Sequence, residues 1–379
     1  MVYFRQKEKK TQTGAIMMST YEIRYKDLLV ATIDHSGHVQ ILSPDFMPYG
    51  LELTSSEGFD VLLQNIYNFY HWCAGRLLPY GRRNATAMLN SVAFSHGITD
   101  KARAKNALAY HCLSMTDVYW VCESHEVLSF ADINLFENHP EEHIDIALCG
   151  KQYAVEPCSL ARDLSTAGCS PKAWQFRNGR FCLLKGGDGV ERELLASQIC
   201  RCFAVDQVFY NETVYREERV SMCENITSLE YSIVSMASFK EHLVCKGLDP
   251  HEFILRLDPK NYYMMNIIDY LVGNTDRHMG NWGVLVDNVT NQPLRLHNLL
   301  DFNQAFRDYG IIEGGACQAT FGNPMTQKEA AIMAVKAIGL NQIHPIDSAI
   351  FDVLPQYKEM FYRRLSLLQS IAFTNFTKK

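Results

Sequence analysis

The sequence predicts an α+β protein in which a strand-rich lobe is followed by a helical lobe, with an extra mixed α/β region in front of both. Between about residues 115 and 236, short apolar runs alternate with Gly and Asn turns, which is typical of strands. After residue 236, apolar residues recur mostly at helical spacing. We therefore divide the chain into residues 1–114, 115–236 and 237–379.

The N-terminal region opens with strands and continues with helices. Residues 21–42 alternate apolar and polar side chains around a turn at residues 34–37, which predicts a hairpin. A helical apolar stripe follows, and it consists of Phe59, Leu62, Leu63, Ile66, Phe69 and Tyr70. Two short helices are predicted at residues 84–93 and 100–111. Residues 1–18 are expected to be a loose leader, with a start codon at Met17 or Met18 as an alternative.

The two lobes have their own sequence of elements. The strand-rich lobe contains predicted strands at residues 181–184 and 231–234, with a helix at residues 191–203. In the helical lobe, a first helix ends at Gly273, and the capping box Thr326–Glu329 opens another. The remaining predicted elements are a hairpin from residues 282–286 and 294–296, and a last helix over residues 356–371.

Composition excludes several classes of protein. Lys plus Arg number 36 and Asp plus Glu number 42 in the 379 residues, so the net charge is 36 − 42 = −6. An acidic chain disfavours direct, non-specific binding to nucleic acid. No apolar stretch approaches the ~18 residues that span a bilayer. The 12 cysteines form no CxxC pair, and no secretory signal precedes them, which favours reduced thiols in a cytoplasmic protein.

The segment Asn274-Thr-Asp-Arg-His-Met-Gly-Asn281 carries the strongest chemical feature. Asp276 and Asn281 are five positions apart, the spacing of the base and the metal-binding amide in the catalytic loop of protein kinases. Asp301 follows after a predicted hairpin and an apolar Leu-Leu pair, where kinases place a second metal ligand. Each residue alone fits a turn or a helix cap, but their order favours a bilobal, protein-kinase-like fold.

A second group of residues suits a nucleotide phosphate. Lys185 ends a predicted buried strand, and the helix after it carries Glu191 and Glu193, either of which could hold the lysine. Upstream, small hydroxyl residues surround a glycine in Ser165–Lys172, here called the phosphate loop. Such a loop can direct backbone N–H groups at phosphate, although it is not a Walker A motif.

Together these motifs resemble those of the HipA-like serine/threonine kinases, bacterial enzymes that are often the toxin of a toxin–antitoxin pair. The resemblance covers residues 155–310 well and the C-terminal helices loosely, whereas residues 1–114 match no known pattern and their role stays open. Phe302-Asn303 replaces the Phe-Gly of ordinary kinases, so an activation-loop switch of their kind is not implied.

The resemblance implies a role for each matching residue. Asp276 would be the catalytic base, with Asn281 and Asp301 as magnesium ligands. Lys185, held by Glu193, would bind the nucleotide phosphates. His278 would either face the γ-phosphate or only bond within its loop. The expected nucleotide-binding residues of the phosphate loop are Ser165, Thr166, Gly168, Ser170 and Lys172, and Ser165 or Thr166 is the expected site of autophosphorylation.

The implied function is an ATP- and Mg²⁺-dependent serine/threonine protein kinase, with a protein as acceptor. A small DNA-binding antitoxin is a partner that the resemblance allows. A small-molecule or lipid kinase is an alternative, since the same residues serve any hydroxyl acceptor. A catalytically weak binding or regulatory module on the same fold is a second alternative, although the sequence lacks none of the chemical residues.

Overall fold

The computed structural model of the protein describes residues 20–307 and 309–376, so the expected leader at residues 1–18 lies outside the described residues. The N-terminal region contains one antiparallel sheet in the strand order β3-β2-β1-β4. Its strands are β1 (Thr20–Tyr25), β2 (Leu28–Asp34), β3 (Val39–Ile41) and β4 (Tyr119–Glu123). The predicted turn at residues 34–37 joins β2 to β3, a second turn at Lys26–Asp27 divides the predicted segment into three strands, and β4 adds the fourth.

Six helices share a hydrophobic core with this sheet. They are α1 (Phe59–Gly75), α2 (Ala85–Ser91), α3 (Asp100–Leu108), α4 (Phe130–Ile133), α5 (Ile144–Ala147) and α6 (Ala161–Leu164). The predicted stripe on α1 is wrong in part, because Phe59 and Leu63 are 75% and 51% exposed. The helix instead buries Asn65, whose side-chain amide donates to the carbonyls of Gly37 (3.0 Å) and Thr54 (2.8 Å). These polar contacts fix a helix rotation that apolar periodicity alone does not reveal.

The second sheet is antiparallel, in the order β5-β6-β8-β7, and one helix packs on it. These elements are β5 (Lys172–Arg177), β6 (Arg180–Lys185), α7 (Val190–Cys200), β7 (Asn211–Tyr215) and β8 (Glu218–Glu224). Ala173 and Leu184 on one face join the core of the N-terminal region. Leu183 and Cys223 on the other face join the core of α7 and the helical lobe. The sheet therefore lies between the two cores.

The helical lobe contains a three-stranded sheet in the order β11-β10-β9. Its strands are β9 (Tyr231–Ser235), β10 (Gly283–Asp287) and β11 (Gln292–Leu296). Its helices are α8 (Met236–Cys245), α9 (Pro250–Leu257), α10 (Pro259–Val272), α11 (Gln327–Ile338) and α12 (Lys358–Phe376). Gly273 ends α10 with a φ of 59°, a left-handed conformation that favours glycine. The expected capping box at the start of α11 is formed.

Short 3₁₀ helices complete the secondary structure of the described residues, at Pro44–Phe46, Pro157–Leu160, Ser348–Phe351 and Pro355–Tyr357. No helix within residues 20–307 and 309–376 combines the length and the apolarity that crossing a bilayer requires.

The structure groups two strands differently from the predicted boundaries at residues 114/115 and 236/237. β4 pairs with β1 of the N-terminal region, although it follows the first boundary. β9 pairs with β10 of the helical lobe, although it precedes the second boundary. Both pairings join strands that are far apart in sequence, and local patterns carry no information about such partners.

Candidate active site

The segment between α10 and β10, residues 274–281, is held by one buried arginine. Arg277 donates from Nε to Asp269 Oδ2 (2.9 Å) and from Nη2 to Asp269 Oδ1 (3.1 Å), which ties the segment to α10. Its Nη1 donates to the backbone carbonyls of Asn281 (2.9 Å) and Leu300. One guanidinium therefore places the segment next to the residue that precedes Asp301.

Asp276 and Asn281 face each other across a tight turn of this segment. Asn281 donates from Nδ2 to the backbone oxygen of Asp276 (2.8 Å), which leaves the amide oxygen of Asn281 uncommitted. The Asp276 carboxylate is partly exposed and has no hydrogen-bond partner in the described part of the chain. It is thus available to accept a proton from a bound hydroxyl. His278 is exposed, and its Nδ1 accepts from the backbone N–H of Gly280 (3.0 Å).

Asp301 has a strained backbone, with a φ of 60° in a residue other than glycine. Its N–H donates to the Tyr210 hydroxyl (3.1 Å), and its Oδ1 accepts from Lys185 Nζ (3.0 Å). Burial alone would raise the pKa of the Asp301 carboxyl, but the charges of Lys185 and Lys172 outweigh burial and hold that pKa well below its usual range. Asp301 is therefore an anion that contacts Lys185 and is also stabilised by the charge of Lys172.

Lys185 is shared between two carboxylates. Its Nζ donates to Glu193 Oε1 (2.6 Å) as well as to Asp301, and Glu193 Oε2 accepts from the Ser221 hydroxyl (2.6 Å). Burial opposes the charged amine, but the two carboxylates outweigh it and raise the pKa of Lys185. Glu191, the alternative partner, lies on the surface and pairs with Arg219 (3.0 Å). The structure thus pairs Lys185 with Glu193.

Lys172 lies directly opposite Lys185 in the β5–β6 register, so both side chains lie on the same face of the sheet. It is only 4% exposed, and its Nζ donates to the Ala167 carbonyl (2.8 Å). Burial, with the charge of Lys185 as a second cause, lowers the pKa of Lys172 to about 8. A buried amine with no anionic partner in contact is suited to an anionic ligand.

The phosphate loop begins in a compact turn at the end of α6. The Ser165 and Thr166 hydroxyls both donate to the Arg162 carbonyl, at 3.2 Å and 2.7 Å, and Thr166 also accepts from the Trp174 indole (2.7 Å). Gly168 follows with a φ of 89°. Ser170 accepts from Asn303 Nδ2 (2.9 Å), which joins the loop to the segment that follows Asp301.

The predicted site residues therefore fall into groups. Lys172, Lys185, Glu193 and Asp301 are linked through contacts or register pairing. Asp276 and Asn281 lie next to them through Arg277. The hydroxyls of Ser165 and Thr166 instead point back into their own turn.

Several residues that organise the site were missed in the sequence. Asp269 interrupts the apolar run of α10, and a buried acid in such a run was a recognisable feature. Tyr210, Ser221 and Asn303 offered no comparable feature, because each acts through a contact distant in sequence.

The donors near Asp301 suit a magnesium ion better than a transition metal. Asp301 offers a carboxylate and Asn281 an amide oxygen, the hard ligands that Mg²⁺ combines with water and phosphate oxygens. Among residues 20–307 and 309–376, no three His, Cys, Asp or Glu side chains form a group that could hold a metal by themselves. Asp301 and Asn281 therefore fit a magnesium ion that takes its remaining ligands from water and from the phosphate oxygens of a bound molecule.

No protein-family model matches the sequence, and no curated protein resembles it significantly. Several solved structures are similar in three dimensions, and two of them are as follows. One is the Helicobacter pylori proinflammatory kinase CtkA, at 16% identity and a TM-score of 0.42, over 56% of this chain and 93% of that one. The other is from the complex of HipA, HipB and operator DNA from Shewanella oneidensis MR-1, at 11% identity and a TM-score of 0.53, over 93% of this chain and 99% of that one. The second similarity confirms the predicted fold: the chain has the HipA-like, protein-kinase-like α+β fold.

Proposed function

We propose that the protein is an ATP- and Mg²⁺-dependent kinase that phosphorylates serine or threonine in a protein. The observation that carries the proposal is the contact of Lys185 with both Glu193 and Asp301. Kinases of this fold need the same lysine–glutamate pair and a neighbouring metal-binding aspartate in place before phosphoryl transfer. The fold similarity to HipA supports the proposal.

Each polar group of the site receives a role. Lys185 and Lys172 bind the phosphates of ATP, and the phosphate loop contributes backbone N–H groups. Asp276 accepts the proton of the attacking hydroxyl, whose oxygen forms the new bond to the γ-phosphorus as the bond to ADP breaks. Asp301 and Asn281 hold magnesium, which neutralises charge on the phosphates when it is bound. His278, exposed beside Asp276, is proposed to approach the γ-phosphate.

Incubation with labelled ATP tests this function. With magnesium, label should appear on the chain or on proteins of a cell lysate, and omission of magnesium should prevent it. Label only in the small-molecule or lipid fraction would instead favour a kinase of those acceptors. Absence of label everywhere, with ATP bound, would favour the binding-module alternative.

The lowered pKa of Lys172 predicts that ATP affinity depends on pH. The free protein loses the Lys172 proton near pH 8, whereas bound phosphate favours the charged amine and raises its pKa. Binding therefore takes up a proton, and affinity should be constant below pH 8 and fall up to about tenfold per pH unit above it. Titrations between pH 7 and 9.5 measure this slope.

Lys172→Met provides the control for that titration. It should bind ATP more weakly at pH 7.5 and show no slope between pH 8 and 9.5, because Lys185, with its raised pKa, stays charged throughout. An equal slope in the variant would assign the proton to another group.

We propose that the kinase also phosphorylates its own phosphate loop, at Ser165 or Thr166. Both hydroxyls donate to the Arg162 carbonyl, so phosphorylation of either must break the compact turn. The phosphoryl group adds about −1.5 to −2 charges and would be repelled by bound ATP. The modified loop should leave the site, which would switch the enzyme off.

Mass spectrometry after incubation with ATP and magnesium should find phosphate within residues 164–172. ATP affinity of the modified protein should be lower than that of the unmodified protein. Phosphorylation of substrate with no phosphate in this segment would refute self-inactivation and leave the kinase assignment intact.

A small DNA-binding antitoxin is proposed as a partner. The HipA structure that this fold matches is a complex with HipB and operator DNA, which supports the idea of such a partner. The acidic net charge of −6 favours contact with DNA through that partner over direct contact.

All 12 cysteines are free, which supports a cytoplasmic location.

A further inference from the structure

A buried arginine of the N-terminal region contacts the backbone of the phosphate loop. Arg82, which precedes α2, is 3% exposed. Its Nη1 donates to the carbonyls of Asp163 (2.9 Å) and Thr166 (3.1 Å), and its Nη2 donates to the carbonyl of Lys172. A single guanidinium thus contacts the chain just before the loop, near its start and at its end.

Backbone hydrogen bonds extend the same contact. Leu78 N–H donates to the Leu164 carbonyl (2.6 Å), and Arg83 N–H donates to the Cys169 carbonyl (2.9 Å). The segment of residues 78–83 therefore runs beside the phosphate loop. This segment belongs to the region whose role the sequence left open.

These contacts determine where the loop's N–H groups point. The peptide unit is planar and trans, so its carbonyl and its N–H point in opposite directions. Arg82 holds the Thr166 carbonyl, which turns the Ala167 N–H away from the N-terminal region. The bond from Arg83 to Cys169 does the same for the Ser170 N–H. Neither the Ala167 nor the Ser170 N–H has a partner within the described ranges, so both are available to an anion.

The charge of Arg82 is costly to bury, so this side chain favours the one loop conformation that supplies its hydrogen-bond acceptors. Burial lowers the pKa of Arg82 to about 10, so the guanidinium stays charged at neutral pH. A buried cation must be compensated, and here the compensation comes from the carbonyls of Asp163, Thr166 and Lys172 and from the charge of the Asp163 side chain. A conformation in which the loop leaves would remove the Thr166 and Lys172 carbonyls, two of the three acceptors of the cation.

We infer that Arg82 is a positioning residue that holds the phosphate loop in its phosphate-binding shape, so that the N-terminal region is a working part of the nucleotide site. The identity of the ligand, a nucleotide phosphate, rests on the proposed function. The contact between Arg82 and the loop does not depend on it. Arg82 acts through carbonyls on one side of the loop, whereas the phosphates meet the N–H groups on the other side.

Hydrogen–deuterium exchange without nucleotide tests the contact directly. In Arg82→Met, peptides that cover residues 79–84 and 164–172 should exchange at least about tenfold faster than in the wild type, because three charge-assisted hydrogen bonds are lost. The KM for ATP should rise by at least about tenfold, with a smaller change in kcat, since the phosphates lose oriented N–H groups.

Arg76→Met is the matched control. Arg76 is a buried arginine of the same region that donates to the carbonyls of Cys112 and Tyr119 and to Asp117, and its side chain contacts neither residues 78–83 nor the phosphate loop. It should leave exchange at residues 164–172 and the KM for ATP unchanged. Equal effects of the two variants, or no change of exchange in Arg82→Met, would overturn the inference.

Arg82→Lys covers the case in which Arg82→Met does not fold. A lysine can reach some of the three carbonyls, so exchange and KM should lie between those of the wild type and a full loss, and wild-type values would contradict the inference. If the wild type binds no ATP, the proposed function fails, but the exchange comparison still decides whether Arg82 holds the loop.

Discussion

Asp276→Asn is expected to lower phosphoryl transfer by at least about 100-fold, while ATP affinity stays within about twofold of the wild type. The substitution keeps the shape of the side chain and removes only its charge and its ability to accept a proton. Both matter mainly in the transition state, when the acceptor hydroxyl is deprotonated. The Asp276 backbone oxygen still accepts from Asn281, so the loop should keep its shape.

Asp352→Asn is the matched control for this experiment. Asp352 is an exposed carboxylate of the same lobe, and no pocket or polar contact of the proposed site includes it. It should retain full activity in the labelled-ATP assay. An Asp276→Asn variant with activity near that of Asp352→Asn would refute Asp276 as the base, even if the protein is a kinase.

Local sequence patterns predicted most elements because each pattern has a local cause. The five-residue spacing of Asp276 and Asn281 reflects one tight turn, and the capping box of α11 satisfies backbone donors within a single turn. The choice between Glu191 and Glu193 could not be predicted in the same way. Two positions along a helix turn a side chain through about 200°, so the choice depends on how α7 is rotated against the sheet.

The contacts that shape the site join segments distant in sequence. Tyr210 reaches Asp301, and Arg82 reaches three carbonyls of the phosphate loop region. Neither residue stands in a motif, and each acquires its role only when two units of the fold come into contact. The candidate catalytic residues could be proposed from the sequence, whereas the residues that position them were mostly hidden.

Substitution of two neighbouring lysines by methionine should change the stability of the protein in opposite directions. Lys185 and Lys172 are opposed in register and both are buried, but only Lys185 contacts carboxylates. Lys185→Met should lower the free energy of unfolding at pH 7.5 by about 3–5 kcal/mol, because Glu193 and Asp301 keep buried charge without a cation in contact.

Lys172→Met should instead raise the free energy of unfolding at pH 7, by about 3 kcal/mol. Burial lowers the pKa of Lys172 from 10.5 to about 8, so below pH 8 the fold bears the full cost of the buried charge. Between pH 8 and 10.5 the folded wild type has lost this proton while the unfolded chain still holds it, so the free energy of unfolding of the wild type rises with pH. The difference in this free energy between the wild type and Lys172→Met should therefore shrink.

Urea unfolding of both variants at pH 5, 7.5 and 9.5 measures these differences. Destabilisation by both substitutions at pH 7.5 would show that Lys172 has a structural partner and that its amine is not held for a ligand. If Lys185→Met instead destabilises the protein and Lys172→Met stabilises it, the fold tolerates an unfavourable charge beside Lys185. A charge that costs stability in the free protein and weakens ATP binding when removed is a charge retained for the nucleotide phosphates.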